Sequence, residues 1–219
     1  MSLKNIYIKT SKYSLLVPIF MGLRYYKRLS RPFRLFLYFL IFSLLTEIQA
    51  SITRAIWTNN LPGKHLYTLV EFMAFSMLYY MHLQKGSFMR RLIGINAIIF
   101  TGIAIADATF VHGIMKDNSL SAGYSSAFLV LYTLVYFLQL FQKDEGQYLK
   151  DYPMFWICTG ALIYFANNTP YFMLRGLLLA KDTRTEWVGH LIHAGLNIIA
   201  YCLYAQSFRC FRNQKSAIS

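Results

Sequence analysis

Charge is what this sequence has least of. Asp, Glu, Lys and Arg together make up 14% of the 219 residues, against about 25% in an ordinary soluble domain. Acidic residues are scarcest, at 9 in the whole chain. Cysteine is also sparse. Cys158, Cys202 and Cys210 form no Cys-x-x-Cys pair, which argues against a zinc ribbon or a disulfide framework. There is no aromatic-basic sheet motif, finger spacing or separate basic domain, so the net charge of +13 does not read as a nucleic-acid footprint. Low-complexity tracts, repeats and linkers are absent as well. The chain reads as one domain over residues 1–219, with no room for a soluble kinase, nuclease or ATPase module.

What is present in their place is apolar: 56% of the residues are hydrophobic and 17% are aromatic. The charges gather in short clusters between long uncharged runs. Hydrocarbon imposes that pattern, because an ionised group at the bilayer centre costs at least about 2.5–3.5 kcal/mol. A spanning helix needs about 20 mainly apolar residues. Seven segments qualify: A with its core at 13–23, B at 35–53, C at 65–84, D at 92–111, E at 119–142, F at 152–174 and G at 187–208. They are apolar all round and do not alternate with period two, which selects helices over barrel strands. The expected fold is all-α, a polytopic transmembrane helical bundle of seven spans, or six if segment A is only interfacial. Segment A is short and reaches membrane length only if Lys9 and Lys12 snorkel. It is read as a retained first span, since no cleavage site of small residues follows it.

Orientation comes from lysine and arginine, which are retained on the cytoplasmic side. Seven spans with the C-terminus inside put thirteen on the cytoplasmic face and nine outside; six spans give sixteen and six. Both place the protein in the cell inner (cytoplasmic) membrane as a multi-pass protein with a cytoplasmic C-terminus. The basic run from Arg24 to Arg34 then lies beside anionic lipid.

The embedded polar residues carry the functional signal. At about 1.5 Å per residue, Glu47, Glu71, Asn167, Asn168 and His193 all lie about 10 Å below the outer surface. His190 and Asp107 are shallower and Asn197 is deeper. The inner halves hold little beyond His82 and Gln139. Intramembrane ionisable groups face a bundle interior or a watery cavity. One polar pocket in the outer leaflet is therefore expected, with Glu47, Glu71, Asp107, Asn167, Asn168, His190, His193 and Asn197 as its candidates. His190, His193 and Asn197 share one helix face within about 60°.

Two functions suit such a pocket. The first is a receptor or sensor that signals through a separate protein partner and needs no cofactor. The alternative is a metal-dependent membrane-embedded hydrolase or lipid-modifying enzyme holding zinc on His190, His193 and Glu71. His-x-x-His is not the zincin motif, and each residue taken alone reads more simply as interhelical hydrogen bonding, worth about 0.6 kcal/mol on average. Clustering in one leaflet favours the pocket.

Three stretches resemble a group of uncharacterised small bacterial seven-helix integral membrane proteins. They are Tyr13–Leu23 followed by Tyr25-Tyr26-Lys27, Pro153–Ile157 with Gly160–Phe165 and Asn168, and Ile192-His193 with Asn197-Ile198-Ile199. The resemblance implies seven spans and assigns no activity. Segment G has no lysine, so the retinal chemistry of microbial rhodopsins is excluded. The ceramidase-like membrane hydrolases carry His-x-x-x-His where segment G has His-x-x-His, a likeness of architecture and residue type only.

Overall fold

The computed structural model describes residues 3–57, 60–111, 113–142, 149–175 and 183–213. Among them every regular element is helical. The helices are α1 (Leu3–Ser14), α2 (Leu16–Arg24), α3 (Arg31–Trp57), α4 (Leu61–His82), α5 (Phe88–Ala106), α6 (Ser119–Gln142), α7 (Pro153–Arg175) and α8 (Thr183–Arg209).

Local chemistry sets several of the boundaries. Pro18 cannot donate to the Ser14 carbonyl, and segment A breaks there into α1 and α2. Pro62 and Pro153 sit in the first turns of α4 and α7, where a missing N–H costs nothing. The Ser87 side chain caps α5 by accepting from the Arg90 N–H at 3.2 Å. Gly86 and Gly113 turn the chain at φ 82° and 83°, a region other residues avoid. The end of α5 widens into a π turn over Asp107–Val111.

Packing closes the helices into a ring. Helix α2 lies on α3, α3 on α4, α4 on α6, α6 on α7, α7 on α8 and α8 on α2. Helix α1 continues along α8, and α5 packs outside the ring on α4 and α6. An aromatic layer fills the ring. Phe36 meets Phe75 and Tyr204 edge-on at centroid separations of 5.5 and 5.1 Å, and Phe75 meets Phe165 at 5.2 Å. Such contacts add about 0.5–1.5 kcal/mol each beyond area burial.

The exterior is as apolar as the interior. Ile98 of α5, Phe20 of α2, Leu45 and Ile52 of α3, and Leu138 of α6 are all exposed. Inside sit Ser76, Asn96, Ser125, Thr133 and Ser207. Asn96 donates to the Tyr132 hydroxyl and accepts from Tyr124, and Tyr79 and Thr133 share a hydrogen bond of 2.7 Å. Buried polar groups thus run further along the bundle than depth counting implied, since small hydroxyls and single amides escape notice in an apolar run. An apolar exterior on this scale marks a membrane or interaction surface. Four helical stretches are long and apolar enough to cross a bilayer: Arg31–Arg54, Phe88–Val111, Ser119–Gln142 and Leu191–Arg212, with a shorter one at Pro153–Asn167. The fold is an all-α bundle of multi-pass character.

Candidate functional site

At the end of the ring nearest the α3–α4 turn, the helices part around a cavity of about 390 Å³. The antiparallel pair α3 and α4 supplies one wall. Glu47 and Arg54 descend from α3; Lys64, Tyr67, Thr68 and Glu71 descend from α4. Opposite them stand His193, Ala194 and Asn197 of α8 and Tyr164 of α7, with Ser126 of α6 between. Of the eight candidates, Glu47, Glu71, His193 and Asn197 line this one space. The i, i+4 spacing puts His193 and Asn197 on the same side of α8.

Each group has a distinct environment. The Glu47 carboxylate pairs with Lys12 Nζ of α1 at 2.8 Å. Glu71 is buried, and its Oε1 accepts from the Tyr67 hydroxyl at 3.0 Å, one helical turn away. The His193 ring lies 5.6 Å from that of Tyr164. Glu71 and Asn197 also reach a narrow cleft beneath the cavity, walled by Phe39, Phe75, Tyr201 and Tyr204. At the rim Lys64 pairs with Asp117 at 3.2 Å. Arg54 is exposed, and its Nε donates to the Ala50 carbonyl of its own helix at 3.3 Å.

Asn118 holds the rim together. It is 5% exposed, and its amide donates to Thr68 Oγ1 at 2.6 Å and to the Lys64 carbonyl at 3.3 Å. Close by, His65 Nε2 hydrogen-bonds the Lys116 carbonyl at 3.1 Å. These bonds pin the start of α6 to the first turns of α4. Asn118→Ala leaves the buried Thr68 hydroxyl without this partner. It is expected to cost about 1–3 kcal/mol, read as a lower melting temperature in detergent. An unchanged melting temperature would show that the rim is held by the Lys64–Asp117 pair and the His65–Lys116 bond.

The other candidates lie elsewhere. Asp107 is fully buried away from the cavity lining. It accepts from the Ser121 N–H at 3.0 Å and from the Ser121 hydroxyl, and so ties α5 to the start of α6. Asn167 is exposed and donates to the Ile163 carbonyl of its own helix at 2.9 Å. Depth along a helix was legible for both residues, but the direction each faces around it was not. Asn168 and His190 belong to α7 and α8, but their side chains lie outside the described residues.

Among the described residues no three His, Cys, Asp or Glu side chains are grouped to hold a metal ion. Of the zinc set read from sequence, His193 and Glu71 line the cavity, and His190 lies outside the described side chains. Sequence reasoning missed Tyr67, Tyr164, Arg54, Asn118 and the two ion pairs. Only Tyr67 had a readable signal, four residues before Glu71 on one helix face. No known protein family, curated protein or solved structure matches the chain.

Proposed function

We propose that the protein is a receptor or sensor-like membrane module with seven spans, α1 and α2 together forming the first. Its cavity opens to the outside, and its C-terminus lies in the cytoplasm of a cell bounded by this membrane. The observation that carries the reading is the convergence of Glu47, Glu71, His193 and Asn197 on one cavity at one end of the bundle. Polar groups that merely glue helices have no reason to surround an open volume. A volume of this size suits a small polar ligand.

The opposite end is basic. Arg24, Lys27, Arg28, Arg90, Arg91 and Arg212 all lie there, and Arg28 donates to the Arg212 carbonyl. That face sits against the anionic inner leaflet and meets the separate partner that receives the signal. A ligand bound between α3, α4 and α8 shifts the populations of two helix arrangements by its difference in affinity for them.

The test uses Ala194, which is 5% exposed and lines the cavity. In a background carrying Cys202→Ala and Cys210→Ala, with Cys158 left in its buried position, Ala194→Cys is expected to react with a small impermeant thiol reagent. The reaction should occur when the reagent is added to intact cells and fail in inverted vesicles. Reaction only in inverted vesicles would reverse the orientation. Reaction from both sides would make the protein a transporter with alternating access.

A further inference from the structure

Some ionisable groups of the cavity pair with each other, and those left over are informative. Lys12 is matched by Glu47 and Lys64 by Asp117. Two ionisable groups are left, and neither makes an ion pair among the described residues: Arg54 at the mouth and Glu71 at the floor. Glu71 is 8% exposed, and the bond from Tyr67 uses one of its oxygens. A carboxyl group has several acceptor sites, so the Tyr67 bond leaves capacity unused on a residue that lines the cavity. Its surroundings are aromatic, with Tyr67 and Tyr164 in the cavity wall and Tyr201 and Tyr204 in the cleft below. Rings around a carboxylate suit an organic cation, which gains from the ring faces as well as from the charge. Arg54 spends Nε on its own helix, which leaves the outer nitrogens of its fork for an anion.

Building on the receptor reading, we infer that the cavity binds a small organic zwitterion, its ammonium group against Glu71 and its phosphate or carboxylate against Arg54. Helical rise sets the length. Arg54 lies one turn from the end of α3 and Glu71 nearly three turns into α4. Their backbones therefore differ in depth by about 10 Å. The arginine side chain closes part of that gap, so a ligand that touches both groups carries its two charges on separate ends. Neither a free ammonium nor a free phosphate bridges the two.

The experiment uses the full chain in a maltoside detergent, with phosphocholine and 5-aminovalerate as zwitterions and choline and inorganic phosphate as half-ligands. Protection of Ala194→Cys from a thiol reagent is one readout and calorimetric binding to the wild-type chain is the other. At least one zwitterion is expected to slow labelling tenfold or more at a concentration where choline and phosphate, alone or mixed, do not. Glu71→Gln and Arg54→Gln should each weaken that zwitterion tenfold or more, and Arg54→Lys should restore part of the loss. Arg54 is exposed, so its variants stay informative if Glu71→Gln folds poorly. Lysophosphatidylcholine protecting better than phosphocholine would identify a lipid headgroup as the source, and equal protection a free solute; either supports the site. The inference is overturned if neither zwitterion exceeds the half-ligands, or if Arg54→Gln binds as the wild type does. Labelling from outside without zwitterion protection would leave the receptor reading standing and this one fallen. Protection in detergent without labelling from outside would do the reverse.

Discussion

Gly160→Leu is expected to abolish the folded bundle. A Cβ at Gly160 would lie 2.7 Å from Cε1 of Tyr204 and 3.3 Å from the Ala200 carbonyl oxygen of α8. The oxygen belongs to a helix backbone. The ring is confined too, since Tyr204 is 3% exposed and packs edge-on against Phe36. Small residues at such crossings let helix backbones approach where no hydrophobic force draws them together. Here Gly160 of α7 faces Ala200 of α8. Overpacking a tight core costs about 1–3 kcal/mol, occasionally more, and a leucine adds three carbons beyond the Cβ that already clashes. The expected result is little or no monodisperse protein in detergent, with Gly160→Ala intermediate. Gly102 is the control, because a Cβ there meets nothing within 4 Å. Gly102→Ala should be neutral or stabilising by up to about 1 kcal/mol. A Gly160→Leu protein that purifies and melts like the wild type would show that α7 and α8 do not cross as described.

The second large effect is expected at Asp107. Its carboxylate is the acceptor for both the backbone N–H and the hydroxyl of Ser121, near the start of α6. The first four N–H groups of a helix have no partner within it, and a carboxylate there also meets the favourable end of the helix dipole. Asp107→Leu removes the acceptor from a fully buried position and strands the donors. The expected loss is about 2–4 kcal/mol, from the stranded groups and the lost cap. Asp107→Asn keeps one acceptor oxygen and should lose about half as much. Denaturant titration of the three proteins measures the series. A loss below about 0.5 kcal/mol for Asp107→Leu would mean that water holds α6 instead.

The fold was readable because hydrocarbon is a strict solvent. Segment E, the uncharged run of residues 119–142, is α6 to the residue, since charge marks both of its ends. Segments B, C, F and G became α3, α4, α7 and α8 with boundary differences of a few residues, because interfacial turns tolerate polar side chains and carry the helix beyond its apolar core. Four of these seven segments are clearly apolar enough to span. Residues such as Glu71 and His65 reduce the apolar character of α4, and the same residues serve the cavity and its rim. The site was half legible for a related reason. The 1.5 Å rise fixes depth from sequence, and it placed Glu47, Glu71 and His193 at one level with Asn197 a turn deeper. Azimuth depends on which neighbour each helix meets. Asn167 shared the level yet points out, and Asp107 went to the α5–α6 junction. The pairing of Lys12 with Glu47 was out of reach, because it depends on α1 lying along α8 beside α3.

The aromatic layer of Phe36, Phe75, Phe165 and Tyr204 has an electrical consequence. On the proposed topology the cavity above it is a conducting recess, and the layer is the insulator that closes the ring. Membrane voltage therefore falls mainly across the packed rings below Glu71 and little across the cavity itself. Moving one unit charge through the full drop is worth about 2.3 kcal/mol per 100 mV, and that drop is compressed into roughly half the span. A charge entering the cavity from its open end would approach Glu71 at almost no electrical cost. Any displacement of that carboxylate toward the rings would take up a large share of the voltage over a few ångströms.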